Sequence, residues 1–183
     1  MTYYGGKELA EAFRTVRKNT IQIAEEIPES KYDFRAAPDT RTVAQTLAHI
    51  AVGPRFQRYV HGNQITDMTR VNFGELFGQF SAEENKPRSK AELVALLKSE
   101  GEAFAAFLDG LPESSLAERV TMRPGMGPSS KTRFEMLLGA KEHEMHHRGQ
   151  LMVIQRMLGL VPHLTRQMQE RMAQMSPAAQ GQR

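Results

Sequence analysis

The chain has 183 residues, 40% hydrophobic and 25% charged, with no Cys and no Trp, which fits one globular domain and excludes a disulfide scaffold, a Cys-ligated zinc or iron–sulfur site and a catalytic thiol. Its 24 Lys and Arg against 21 Asp and Glu give a formal charge of +3, but the basic residues are scattered, so nucleic-acid binding is not expected. The opening residues lack a basic stretch ahead of an apolar run, and no segment nears the roughly 18 apolar residues of a membrane span, so a cytoplasmic protein off the membrane is expected.

Leu9, Phe13, Val16, Thr20, Ile23 and Ile27 recur at steps of four and three and predict a first helix over residues 7–27, stopped by Pro28. After a polar connection, Thr42 and Gln45 form a capping box that opens a second helix over 43–60, with a kink or short break at Gly53-Pro54. Residues 62–88 read as a long loop whose apolar island, Leu76, Phe77 and Phe80, docks on the core. Ser89 with Glu92 opens a third helix that ends at Gly110. Residues 111–131 read as a second long loop, punctuated by Pro and Gly, with 116–122 as a strand lacking an obvious partner. Thr132 with Glu135 opens a fourth helix that runs to Leu158, with Gly159 at its C-terminal cap and a short fifth helix over 163–174. The fold class is therefore all-α: a four-helix bundle with long loops between helices 2–3 and 3–4 and a short C-terminal helix. One domain covers 1–174, and 175–183 is expected to be a disordered tail.

The chemistry concentrates in the fourth helix. Met136, Ala140, His143, His147, Leu151, Ile154 and Leu158 form its apolar stripe, so His143 and His147 face the bundle one turn apart. His146 points about 100° away, toward the surface. Two inward imidazoles need partners, because burying polar groups unmet is costly. They are either core histidines bonded to other helices or ligands of one metal ion. His49, on the stripe of Gln45, His49, Val52 and Phe56, is the candidate third ligand. Three neutral imidazoles would leave an ion with an open position, the pattern of catalytic sites. Such an ion lowers the pKa of bound water or deprotonates a thiol. Divalent Zn, Ni or Fe all suit that donor set. Gln150, Arg148 and Gln45 are candidates to line the site or contact substrate. His61 and His163 read as surface or capping residues.

A rival pattern overlaps this one. His143-Glu144-x-x-His147 fits the zincin protease motif, with Glu144 as general base. Its extended form is missing: positions 150 and 153 are Gln and Val. Glu170, a conceivable third ligand, lies beyond the Gly159 and Pro162 break. Otherwise Glu144 reads as a solvated acid or one supporting a ligand.

Residues 40–50, ending in His49-Ile50, and the run His143-Glu144-Met145-His146-His147-Arg148-Gly149-Gln150-Leu151 resemble the DinB-like superfamily of small helical-bundle metalloproteins. The resemblance extends over nearly the whole chain to about residue 160, with Val43 where many relatives carry Trp. It implies a metal triad at His49, His143 and His147. Some members are S-transferases or isomerases that use an external low-molecular-weight thiol, and many pair as homodimers. The expected activity is thus a metal-dependent transferase acting on a small-molecule substrate through such a thiol. The alternative is a non-catalytic, metal-stabilised dimeric bundle that binds a small ligand.

Overall fold

The computed structural model describes residues 4–125 and 127–175. Helix α1 (Gly6–Glu26) buries Leu9, Phe13, Val16, Thr20 and Ile23, the stripe set by its sequence. Its start requires glycine, because a Cβ at Gly6 would lie 2.4 Å from the Leu108 carbonyl oxygen. Helix α2 (Val43–Val52) begins at the Thr42–Gln45 box, with both reciprocal bonds at 3.0 Å. The expected break falls at Gly53, after which α3 (Pro54–Gly62) continues.

The 62–88 connection is not a plain loop. It contains helix α4 (Phe73–Glu84), capped by the Asn72 side chain accepting from the Glu75 amide. Gly74 and Gly78 weaken the helical signal of this stretch, and the tertiary contacts with α2 override it. Of its apolar island, Leu76 docks on the core cluster of Val60, Met68 and Val71 as expected, whereas Phe77 stays exposed and no residue of α4 is fully buried. Helix α5 (Lys90–Asp109) follows its Ser89–Glu92 box. In the 111–131 connection, a short helix α6 (Glu113–Leu116) precedes strand β1 (Arg119–Thr121). The strand does have a partner: β2 (Ser130–Thr132) pairs with it antiparallel. The polar Ser-Lys-Thr sequence of β2 gave no strand signal. The Thr121 amide also donates to the Thr66 carbonyl at 2.8 Å, tying the two long connections together.

Helix α7 (Arg133–Met157) starts at the Thr132–Glu135 box, and Gly159 adopts a φ of +79° beyond its end. Helix α8 (His163–Met175) runs to Met175, one residue further than expected, and the rest of the predicted tail lies outside the described residues. Among the described residues, no helix is long and apolar enough to cross a membrane.

Helix α1 packs on α5 and α7, and α2 packs on the same two, so α1 and α2 occupy opposite corners of the four-helix bundle. One core layer gathers Ile23, Ile27, Leu47, Ile50, Leu97, Leu151 and Ile154. A second gathers Leu9, Phe13, Phe104, Leu108 and Leu137. Between them lies a charged layer. The Arg17 guanidinium donates to both carboxylate oxygens of Glu144 at 2.9–3.1 Å, to the Leu97 carbonyl at 2.8 Å and to the Ile50 carbonyl at 3.0 Å. The Ile50 carbonyl needs that donor for a covalent reason. Four residues on stands Pro54, which has no N–H to complete the helical bond. Arg17 thus joins all four long helices, and Gly101 makes room for it: a Cβ there would sit 2.7 Å from Arg17 Cγ.

Candidate metal centre

His49 on α2 and His143 and His147 on α7 converge beside this layer. The Nε2 atoms of His49 and His143 are 2.9 Å apart, and those of His143 and His147 are 3.2 Å apart. His147 is buried, His49 half-buried, and His143 open to a cavity. His146 is exposed, as its angle on the helix predicts.

The outer ring nitrogens fix the tautomers. His49 Nδ1 bonds the Glu84 carboxylate at the end of α4. His147 Nδ1 donates to Gln150 Oε1 at 2.8 Å. A carboxylate and an amide oxygen are both acceptors, so each places the ring proton on Nδ1 and leaves an Nε2 lone pair facing inward. His143 Nε2 lies against both lone pairs and, when neutral, offers at most one proton for the two. The donor set is short of positive charge, which is the condition a cation relieves. Two nitrogens at about 2.0–2.1 Å from a tetrahedral ion stand about 3.3 Å apart, close to the two spacings involving His143, and all three ligand atoms lie within 4.8 Å of one another. The three residues therefore fit a divalent ion.

Electrostatics agree with ligand protonation states. Desolvation by the surrounding protein, followed by the facing His147 and His49 rings, pushes His143 down to about 4. Desolvation also lowers His147, more than the Gln150 bond raises it. Both rings are neutral near pH 7, as metal ligands must be. Burial would raise the Glu84 carboxyl, but bonds from Arg41, at 2.8 Å, and from His49 outweigh it and hold it below its usual range.

The remaining candidates separate. Gln150 touches the triad directly. Gln45 caps α2, reaches Asn85 Oδ1 at 2.9 Å and shares a second cavity, about 710 Å³, with His147, Gln150, Arg35 and Arg41. Arg148 lines neither cavity beside the triad; it lies near His163, the first residue of α8, whose pKa is lowered mainly by desolvation and least by the Arg148 charge. His61 and His163 are buried, not surface residues: His61 lies between Gln57 and Arg133, each at 3.0 Å, and His163 meets Asn19 at 3.2 Å.

The zincin reading of Glu144 fails on geometry. Its carboxylate is 2% exposed and both oxygens are held by Arg17, so it is neither solvated nor free to take a proton from water. The inward stripe of α7 accordingly passes through Met136, Ala140, Glu144, His147, Leu151 and Ile154, with His143 at its edge. Two further residues of the site, Glu84 and Arg41, were not among the candidates. The Asn72–Glu75 cap was the one available sign of the helix that brings Glu84 in.

A four-helix bundle carrying three convergent histidines on its second and last long helices defines the class. The DinB superfamily pattern matches residues 12–151, and the chain belongs to that superfamily. The uncharacterized protein YjoA of Bacillus subtilis is 26% identical over 153 residues, covering 83% of this chain and 90% of YjoA. The YjoA crystal structure superposes with a TM-score of 0.61, at 22% identity over 83% of this chain and 92% of that one. YfiT of Bacillus subtilis, described as a probable metal-dependent hydrolase with an unusual four-helix bundle topology, gives a TM-score of 0.67 at 16% identity, covering 87% and 91% of the two chains. A DinB-like protein of Bacillus cereus gives 0.64 at 17% identity, covering 85% and 93%.

Proposed function

We propose that His49, His143 and His147 hold one divalent metal ion, Zn, Ni or Fe, and that the protein is a metal-dependent transferase acting on a small molecule through an external low-molecular-weight thiol. The observation that carries the metal reading is the convergence of the Nε2 atoms while Glu84 and Gln150 occupy the outer nitrogens of His49 and His147. When bound, the ion supplies an open coordination position at which a thiol loses its proton at neutral pH. The chain contributes the rest. Glu84 and Gln150 keep His49 and His147 in the ligating tautomer and orientation. Arg41, bonded to Glu84, lines both cavities beside the triad and balances that carboxylate. The chain has no Cys, so the sulfur must come from outside.

Elemental analysis of protein purified without added metal tests the first half, and about one ion per chain is expected. Incubation with 1-chloro-2,4-dinitrobenzene and a panel of thiols tests the second. A C–S bond forms, the C–Cl bond breaks, and chloride and the thiol proton leave together. Chloride release no faster than in the protein-free control with every thiol overturns the transferase reading. The description of YfiT favours a second reading, hydrolysis at the same centre, which chloride or ester release without any thiol would support. Pairing into a homodimer is part of the proposal, and light scattering of the purified protein decides it.

A further inference from the structure

Helix α4 presents its apolar residues on one face yet buries none of them. Its first turn leans on a small core: Phe73 and Leu76 pack against the cluster of Val60, Met68, Val71 and Met136. Phe77 reaches this cluster only through the Phe73 ring, 5.5 Å away, and Phe80 is not part of it. Both line a cavity of about 690 Å³ together with Pro54, Phe56, Met136, His49 and His143. Phe77 remains 53% exposed. An apolar helix face held off the core by a void of this size has an unmet partner, because both surfaces lose water only when something fills the gap. The volume is that of a small-molecule site, not of a docked helix.

Charge narrows the partner further. Most of the charged groups on the cavity wall are already committed. Arg41 and Glu84 bond each other, Glu84 also holds His49, Glu144 is taken by Arg17, and Glu135 caps α7. Lys131 and Glu142 remain, one cation and one anion. No surplus charge awaits an ionic ligand. The second cavity differs, with Arg35, Thr40, Gln45 and Gln150 in its wall.

We infer that the first cavity is the chamber for an uncharged, apolar small molecule, seated between the Phe77–Phe80 wall of α4 and the His49–His143 edge of the triad. This names the substrate class of the proposed reactive centre and rests on that reading for its role.

The test is ¹⁹F NMR of 1-fluoronaphthalene titrated with the full-length protein, with metal content measured on the same samples. Saturable line broadening is expected. The doubly substituted Phe77→Ser/Phe80→Ser protein should bind about tenfold or more weakly, the loss of roughly one ring's burial. Tyr59→Ser, an aromatic 42% exposed that lines neither cavity, should bind as the unaltered protein does. In protein freed of metal by a chelator, so that no open metal position takes up the carboxylate, the anionic 4-fluoro-1-naphthoate should bind more weakly than 1-fluoronaphthalene. Unchanged affinity in the double variant, or naphthoate binding as tightly in the metal-free protein, overturns the proposal. So does a change in oligomeric state in place of a change in probe affinity, which would mean that a second copy covers this face. If circular dichroism shows lost helix in the double variant, Phe77→Ser alone decides, its side chain being half in solvent. Probe binding that depends on Phe77 and Phe80 in protein that holds no metal keeps the chamber and removes the metal reading. Metal-loaded protein that ignores the probe does the reverse.

Discussion

His143 and Glu144 are consecutive on α7, yet their surroundings are opposites. Glu144 is 2% exposed, and Arg17 occupies both of its oxygens. His143 opens on a cavity and faces two ring lone pairs that it cannot satisfy together. The first cluster is closed: every strong acceptor has its donor, so it holds the bundle together and has no capacity left for chemistry. The second is open, with donors left for something the chain itself does not provide. Their difference teaches that a titratable residue beside a ligand acquires its role from what saturates it, not from its place in a motif.

The contrast can be broken from either side. The largest effect belongs to the triad: His49→Ala or His147→Ala should take metal content from about one ion per chain to near zero, measured by elemental analysis. Full retention in His49→Ala would dissolve the triad. On the closed side, Arg17→Met should cost about 3–5 kcal/mol in urea unfolding, because it leaves a buried carboxylate unpaired. Adding Glu144→Leu should recover much of that loss, and a strictly additive pair would mean that the two do not act together.

A third buried group sharpens the same point away from the triad. Burial, then the neighbouring Arg133 charge, pushes His61 from 6.5 down to about 4. Above pH 6.5 it is neutral in the folded and unfolded chains alike. As pH falls below that, the unfolded chain takes up the proton first, so stability drains away until about pH 4, by about 3 kcal/mol in all. His61→Gln should flatten that part of the stability profile. The smallest effect is at Glu84. Glu84→Gln should weaken metal binding about 10- to 100-fold while leaving helicity unchanged, as measured by competition with a chelating dye.

The long helices were legible because their apolar residues keep a period of 3.6 and their boxes, Thr42–Gln45, Ser89–Glu92 and Thr132–Glu135, mark the starts. The convergence of His49, His143 and His147 was legible for the same reason: a four-residue step fixes two of them, and the His49 stripe supplies the third. Glu84 was hidden by two glycines that made its helix look like loop. Glu144 was hidden by its charge, which reads as solvent-facing until a partner 127 residues earlier in the chain is known. β2 was hidden because its three residues are polar. Pairings distant in sequence leave no periodic trace.

Placing α1 and α2 at opposite corners has a consequence for how the molecule is made. A nascent chain that has emerged only as far as residue 62 holds two amphipathic rods whose partners have yet to be synthesised. Helix α4 then packs on α2, but α5 must arrive before α1 has a neighbour and α7 before the ring closes. The same late segment delivers two of the three imidazoles, so the ribosome never exposes a half-built chelate on a finished scaffold: barrel and binding site are completed in one stroke.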